Sequence, residues 1–309
     1  MAYGGRGSAS MGEVIGIDLG GTKIKAGIMD EQGNLLRKLD MRTPIELGRA
    51  GILAALEQLI QSLRNETGAR IEAVGIGSAG QIDRCRGTVT FATELLPGWT
   101  GTNIKELLQQ ACGIPVFVEN DAKTAALGER WLGAVRDLAH YMFLTLGTGI
   151  GGAMIHEGKL LTTPSGGAGN VGHMVLHAQG FSCNCGGRGC FEQYASGTAL
   201  DASANRIDPR WDSRVLMEKL SVKDERAEHV ILRFADDLSA GLVSLHNIYE
   251  PQVFVLGGGV MDSYPLWKPY LESSIRKRTR HPIIIVPASL GNDAGMIGAA
   301  RLAFDEMAL

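Results

Sequence analysis

The stretch VIGIDLGGTKIKAGIMD, residues 14–30, has a pattern that recurs later in the chain. An apolar, β-prone segment ends in two glycines and an alternating segment then returns, which predicts two strands joined by a glycine turn. HYMFLTL at 140–146, GTGIGG at 147–152 and the returning segment AMIHEGKLL repeat this order. The sequence therefore predicts two related halves.

The remaining chain alternates helix and strand signals. Helical spacing occurs at 48–64, at 103–111 and from about Asp121, and then in EQYASGTALDASANRI, RAEHVILRFADDLSAGLVSLHNIY and DAGMIGAARLAF. Strands are predicted after the turn at 30–34, at 71–77, at 114–118 and in PQVFVLGGG. Strands that precede crossover helices predict α/β layers, in which ligands lie beyond the carboxyl ends of the strands.

The composition narrows the class of protein. The chain has 309 residues, 45% of them apolar and 20% charged, which is typical of a globular protein. No uninterrupted apolar run approaches the ~20 residues of a membrane span. The net charge is −3 and no basic block is interleaved with aromatic residues, so neither a nucleic-acid nor a membrane partner is expected. MAYGGRGSAS has no apolar core and is interpreted as a tail, not a signal peptide, so we expect a cytoplasmic location.

Two glycine loops, GIGSAG at 75–80 and GTGIGG at 147–152, match the dinucleotide-binding pattern G-x-G-x-x-G. That pattern needs a helix directly after the glycines, and neither loop is followed by a helix signal. The two glycine turns suit phosphates instead, because backbone N–H groups can surround an anion there and a nearby carboxylate can hold Mg²⁺ through water. Simple tight hairpins are the alternative interpretation.

A short loop at 173–190 contains four soft ligands, His173, Cys183, Cys185 and Cys190. Three thiolates and one imidazole at this spacing predict a closed, tetrahedral zinc site with a structural role. A disulfide is the weaker alternative, because the chain lacks the signs of an oxidising compartment. Cys85 and Cys112 are interpreted as packing thiols.

Several motifs together resemble the ROK family of bacterial sugar kinases. They are DLGGTK, ENDAKTAALGE, LGTGIGG, a GH pair followed by C-x-C-G-x₃-G-C-x-E, and LGGG, and the resemblance runs from Val14 to about Phe304. It implies an α/β, two-domain actin/hexokinase-like ATPase fold of the ribonuclease H-like kind, with the zinc loop in the larger domain. We expect a tail at 1–12, a small domain at 13–120 that the helix at about 293–309 rejoins, and a large domain at 121–292.

The resemblance also implies an activity, namely ATP- and Mg²⁺-dependent phosphorylation of a hexose at its 6-hydroxyl, with glucose as the first candidate and Zn²⁺ as a structural ion. Asp121 would be the general base, and its place at a helix start favours an ionised carboxylate. The structural alternative is a plain N-cap of the helix, for which Asn120 or Asp121 is available. The implied sugar contacts are Gly80, Asn120, Asp121, Asn170, His173 and Glu192. The implied nucleotide contacts are Asp18, Gly20, Gly21, Thr22, Lys23, Gly147, Thr148, Gly149, Gly257 and Gly258.

Two positions depart from the family pattern. Asn170 replaces the usual glutamate of G-E-x-G-H, and Leu95 stands where glucose-preferring members often have asparagine. An amide carries no charge and also donates, so the preferred sugar is open, with an N-acetylmannosamine or N-acetylglucosamine kinase as the alternative. A non-catalytic, sugar-sensing protein is less favoured, because about thirteen residues precede VIGID and Asp121 is present. A homo-oligomer, either a dimer or a tetramer, is expected from the family alone. The sequence does not decide whether polyphosphate can replace ATP as the phosphoryl donor.

Overall fold

The computed structural model describes residues 12–67, 70–93, 96–136 and 138–308. The predicted N-terminal tail lies outside these ranges as far as residue 11, and Leu95 also lies outside them. The chain divides into two compact units. The first unit takes in the chain up to Leu132, Pro164–Gly166 and Asp293–Leu309, and the second takes in Gly133–Thr163 and Gly167–Asn292.

The first unit is built on a mixed five-stranded sheet. Its strands are β1 (Glu13–Leu19), β2 (Lys23–Met29), β3 (Leu35–Arg42), β4 (Ile71–Ser78) and β7 (Val116–Asn120), with a separate hairpin of β5 (Gln81–Asp83) and β6 (Thr88–Phe91). The order is β3-β2-β1-β4-β7, antiparallel from β3 to β1 and parallel from β1 to β7. This confirms the predicted hairpin at 14–30. Strand β5 after GIGSAG also confirms that no helix follows those glycines.

Four helices in the described part of the first unit cover this sheet. They are α1 (Gly48–Thr67), α2 (Ile104–Cys112), α3 (Asp121–Trp131) and α9 (Ala294–Met307). The apolar positions that predicted α1, among them Ile52, Leu56 and Ile60, are fully buried. Helix α3 lies in the first unit, although the domain boundary expected at residue 120 left it in the second domain. The physical reason is that α3 packs on α9 so closely that a Cβ at Gly298 would lie 1.6 Å from the Thr124 carbonyl oxygen.

The sheet of the second unit repeats the plan of the first. Its strands are β8 (Tyr141–Leu146), β9 (Ile150–His156), β10 (Lys159–Leu160), β11 (Val253–Gly257) and β12 (Ile285–Pro287). The order is β10-β9-β8-β11-β12, again antiparallel in the first part and parallel from β8 to β12. This confirms the two related halves. The glycine turn is shorter than predicted, because β9 already begins at Ile150.

The helices of the second unit are α4 (Glu192–Ala195), α5 (Gly197–Ile207), α6 (Ser213–Ser221), α7 (Glu225–Tyr249) and α8 (Tyr264–Arg278). The single helix predicted from Glu192 is broken at Ser196, whose side chain caps α5 by accepting a hydrogen bond from Ala199 N at 3.1 Å. Helices α6 and α8 were not predicted from the sequence. Among the described residues, every helix is too short or too polar to cross a membrane.

Candidate active site

Two aspartates lie at the carboxyl edge of the first sheet. Leu19 of β1 is in register with Ser78 of β4, and Ser78 is in register with Asn120 of β7. Asp18 lies one residue before this level and Asp121 one residue after it. Parallel strands therefore bring the two carboxyl groups, far apart in sequence, to the edge at which ligands bind in open α/β sheets.

The Asp18 carboxyl group is packed against the start of α9. A Cβ at Gly295 would lie 2.7 Å from Asp18 Cγ, so this position accepts only glycine without a shift. Burial, with a smaller contribution from the negative charges of Asp121 and Asp293, raises the pKa of Asp18 to about 7, although Lys25 opposes these effects. A divalent cation would relieve this electrostatic cost, and carboxylate oxygens are the ligands that Mg²⁺ prefers. The residues present therefore fit a magnesium site at Asp18.

Asn120 caps α3 and holds Asp121 in place. Its Oδ1 accepts hydrogen bonds from the backbone N–H groups of Ala122 at 3.0 Å and Lys123 at 3.2 Å. Its Nδ2 donates to the Gly80 carbonyl oxygen at 2.9 Å and to Asp121 Oδ1 at 2.8 Å. The amide oxygen and both amide hydrogens are thus engaged within the first unit, which confirms Asn120 as the N-cap.

The Asp121 side chain is half-buried and begins α3. Its Oδ1 also accepts a hydrogen bond from Ala122 N at 2.8 Å. Burial raises the pKa of Asp121 above its usual range, and the hydrogen bonds from Ala122 and Asn120 oppose that effect. The sequence argument stressed the helix start, which favours the charged form, but desolvation outweighs it. A carboxylate with a raised pKa is a stronger base than an ordinary aspartate.

A buried ion pair beneath Asp121 was missed by sequence analysis. Glu119 and Lys123 are each only 1% exposed, and Lys123 Nζ lies 3.5 Å from Glu119 Oε1. Lys123 Nζ also donates to the Gly166 carbonyl oxygen at 2.9 Å. Glu119 Oε1 accepts a hydrogen bond from Asn120 N at 2.8 Å. The available signal was the i, i+4 spacing of opposite charges across ENDAK.

The first glycine turn has the expected hairpin geometry. Gly20 N donates to the Lys23 carbonyl oxygen at 3.1 Å, and the Thr43 hydroxyl donates to the Gly20 carbonyl oxygen at 2.7 Å. The predicted nucleotide contacts of the first unit thus share one short segment, the end of β1 and the turn after it, which contains Asp18, Gly20, Gly21 and Thr22. The Lys23 ammonium group is 2.5 Å from Asp40 Oδ2 on β3, so an ion pair already engages its charge.

A cavity of about 720 Å³ lies in the second unit, within the range of roughly 300–1,000 Å³ that is usual for small-molecule sites. Gly147 and Thr148 of the second glycine turn line it, whereas the predicted contacts Gly149, Gly257 and Gly258 are not among its lining residues. Helices α5 and α6 supply a wall that sequence analysis missed. Its residues include Thr198, Leu200, Asp201, Arg214, Met217 and Glu218. The signal for α6 was its Asp212 cap, which accepts from Val215 N at 2.8 Å.

The predicted metal ligands converge in the second unit. The ligand atoms of His173, Cys183, Cys185 and Cys190 all lie within 4.8 Å of one another. Cys185 Sγ and Cys190 Sγ are 3.6 Å apart, and Cys183 Sγ is 3.7 Å from His173 Nδ1. Tetrahedral zinc has bonds of about 2.3 Å to sulfur and 2.0–2.1 Å to nitrogen. This geometry places two sulfur ligands roughly 3.8 Å apart and a sulfur and a nitrogen ligand roughly 3.6 Å apart. The donor set therefore fits zinc. Cys112 is buried as predicted for a packing thiol, but Cys85 is exposed.

The other predicted sugar contacts of the second unit adjoin this loop. Asn170 precedes the short 3₁₀ turn Val171–His173, and its carbonyl oxygen accepts a hydrogen bond from His173 N at 3.1 Å. Glu192 Oε1 is 3.7 Å from His173 Nδ1. Asn170, His173 and Glu192 are thus held by the segments that carry the metal ligands.

Known proteins are similar to this chain over nearly its whole length. A family model described as the ROK family matches residues 14–306. A glucokinase of Streptomyces coelicolor is 35% identical, over 95% of this chain and 98% of that protein. An N-acetylmannosamine kinase of Shigella boydii is 31% identical, over 94% of this chain and 98% of that protein.

Solved structures are similar along the same length. A ROK hexokinase from Thermus thermophilus has a TM-score of 0.87 at 37% identity, covering 96% of this chain and 99% of that one. A ROK family glucokinase from Streptomyces griseus, in complex with glucose and AMPPNP, has a TM-score of 0.82 at 35% identity, covering 95% and 100%. The fold is therefore the mixed α/β, actin/hexokinase-like fold of these kinases. The match over residues 14–306 shows that the chain belongs to the ROK family.

Proposed function

We propose that this protein is an ATP-dependent hexokinase that phosphorylates the 6-hydroxyl of its sugar, with glucose as the first candidate. The similarity to glucokinases and a hexokinase over nearly the whole chain supports this activity. The observation that carries the mechanism is the position of Asp121. It combines a raised pKa with a fixed orientation at the carboxyl edge of the first sheet.

In this proposal Asp121 is the general base. Its carboxylate accepts the proton of the sugar hydroxyl as that oxygen attacks the terminal phosphorus of ATP, and ADP leaves. Asn120 orients Asp121 through the hydrogen bond from Nδ2, and Gly80 receives the other Nδ2 hydrogen. A direct contact between Asn120 and the sugar stays a prediction from the sequence. The amide oxygen and both amide hydrogens of Asn120 are already engaged in hydrogen bonds within the protein.

The nucleotide side of the proposal rests on the two glycine turns and the cavity. The turns at Gly20–Thr22 and Gly147–Gly149 would surround the phosphates. The N–H groups of Gly20 and Gly147 are engaged within their own turns, so the donors would be those of the residues that follow them. The cavity beside Gly259 would take the adenosine. Asp18 would hold Mg²⁺ through water, and bound Mg²⁺ neutralises charge on the phosphates. Phosphoryl transfer depends on such positioning and charge neutralisation more than on covalent help.

The sugar side of the proposal uses Asn170, His173 and Glu192. His173 Nδ1 faces the cysteines, so its Nε2 would be the ring nitrogen available to a sugar hydroxyl. Zinc held by four protein ligands keeps no open position and would be structural. We further propose that the two units correspond to the two domains of a kinase, the second containing the zinc loop. A homo-oligomer and a cytoplasmic location stay predictions from the sequence.

A second candidate is an N-acetylmannosamine kinase. It is favoured by Asn170, which stands where the family pattern has glutamate, and by the relative of that name at 31% identity. A neutral amide in place of a carboxylate changes which substituents near the anomeric carbon are accepted.

A coupled ADP-release assay with ATP and Mg²⁺ separates these activities. The panel is glucose, mannose, N-acetylglucosamine and N-acetylmannosamine, with product analysis for the 6-phosphate. We expect the highest kcat/KM with glucose. A preference for N-acetylmannosamine supports the second candidate, and no phosphorylation of any hexose contradicts a kinase and supports the non-catalytic alternative.

A further inference from the structure

The carboxylate of Glu192, at the start of α4, contacts two separate parts of the second unit. Its Oε1 is 3.2 Å from Cys183 Sγ and 3.7 Å from His173 Nδ1, so it borders the cluster of metal ligands. Its Oε2 accepts a hydrogen bond from Ile150 N at 3.3 Å. Ile150 is the first residue of β9 and directly follows the second glycine turn.

The glycine turn is shaped around this carboxylate. A Cβ at Gly149 would lie 2.5 Å from Glu192 Oε2 and 3.5 Å from Glu192 Cδ. Gly149 does not have a positive φ, so its backbone would accept alanine without strain. The requirement for glycine at position 149 thus comes from the close approach of Glu192.

The same turn forms part of the cavity wall. Gly147 and Thr148 line the cavity, and Gly147 N donates to the Gly149 carbonyl oxygen at 3.0 Å. Gly149 and Ile150 are therefore connected directly to residues that line the cavity. Glu192 contacts both this turn and the metal-ligand loop.

We infer that Glu192 is a positioning residue that couples the Cys/His loop to the nucleotide turn at residues 147–150. The affinity for nucleotide then depends on how firmly the Cys/His loop is held in place, in addition to any effect of this loop on sugar binding. This inference rests on the proposed function in taking the cavity as the nucleotide site. It goes beyond that function because the role proposed for Glu192 above concerns the sugar alone.

Nucleotide binding without sugar tests this coupling. The probe is AMPPNP with Mg²⁺, its Kd measured by calorimetry for the unmodified protein, Glu192→Ala, Glu192→Gln and Gln193→Ala. A hydrogen bond to a charged group is worth roughly ten- to a hundredfold in an equilibrium constant. Glu192 acts on the nucleotide only through the turn, so Glu192→Ala should lose a part of this, about three- to tenfold in affinity. Glu192→Gln should lose less, because an amide oxygen still accepts from Ile150 N. Gln193→Ala, in the same helix, is the matched control and should bind as the unmodified protein does.

The results separate the inference from the proposed function. If Glu192→Ala binds the nucleotide with a Kd within twofold of that of the unmodified protein, the coupling is overturned. The proposed kinase function still stands in that case. If the unmodified protein itself does not bind AMPPNP, the nucleotide site is wrong and both proposals fall.

A double-mutant cycle gives a second, independent measurement. Gly149→Ala should lower the melting temperature in the unmodified background and change it little in the Glu192→Ala background, because the clashing group is then absent. Amide hydrogen exchange at 147–150 should increase on treatment with a zinc chelator, and less so in Glu192→Ala. The inference is contradicted if Gly149→Ala lowers the melting temperature equally in both backgrounds. It is also contradicted if the chelator increases amide hydrogen exchange at 147–150 equally in the unmodified protein and in Glu192→Ala.

Discussion

Replacing Lys123 by methionine should strongly destabilise the first unit. The Lys123 ammonium group is 3.5 Å from Glu119 Oε1 and both side chains are only 1% exposed, so its removal leaves a buried carboxylate without its nearest cation. The change also removes the hydrogen bond to the Gly166 carbonyl oxygen. Methionine has nearly the same length, so the loss of charge, and not a cavity, dominates the effect.

The magnitude follows from the geometry of the pair. Removing one partner of a buried ion pair costs about 3–5 kcal/mol. Arg84 Nη1 lies 3.8 Å from Glu119 Oε2 and still compensates part of the charge, which places the expected loss near the lower value. A loss of about 3 kcal/mol corresponds to a decrease of roughly 6–12 °C in Tm for a unit of 150–250 residues.

Urea and thermal unfolding of three variants measure this. Lys123→Met should show the full loss, and Lys123→Met with Glu119→Gln should recover most of it because no buried charge is left. Lys277→Met removes an exposed lysine of α8 and serves as the control, with an expected change within about 0.5 kcal/mol. A loss below 1 kcal/mol for Lys123→Met, or no recovery in the double variant, would refute the reasoning.

Three further predictions concern the proposed chemistry. Asp121→Ala should lower kcat by at least about 10²-fold with an unchanged Tm. In the unmodified enzyme, kcat/KM should decline as the pH falls through a pKa above the ordinary aspartate value of about 3.9. The reason is that burial raises the pKa of Asp121 and only its charged form is a base. Near-normal turnover of Asp121→Ala would remove this residue from the base role. Cys185→Ala should reduce bound zinc well below one ion per chain, by elemental analysis, and lower Tm. Asn170→Glu should change the ranking of kcat/KM over the four-sugar panel, and an identical ranking would show that the departure is silent.

The sequence predicted the features that depend on local patterns. Both glycine hairpins, the N-cap at Asn120 and helix α1 follow from alternation, helical spacing and capping chemistry, which act over a few residues. The metal-ligand cluster was also predictable, because the chain loop from His173 to Cys190 is short enough to close around one ion.

The features that the sequence did not predict depend on tertiary contacts. Helix α8 contains Pro269 within its span, which argues locally against a helix, yet Trp267 and Leu271 on the same helix are fully buried and stabilise it. The wall of the cavity comes from α5 and α6, whose relative position no local pattern specifies. The contact of Glu192 with Ile150 likewise joins residues 42 positions apart.

The two interpretations of the Asn-Asp pair at the start of α3, helix cap and catalytic base, are not alternatives. A helix start needs acceptors for its first N–H groups, and Asn120 Oδ1 already takes those of Ala122 and Lys123. With the capping done by Asn120, the helix does not depend on Asp121, which can gain or lose a proton without unwinding α3. The same amide donates to Asp121 Oδ1, so the residue that caps the helix also fixes the orientation of the proposed base. Asn120→Ala should therefore be more damaging to the fold than Asp121→Ala, although the proposed reaction uses both residues.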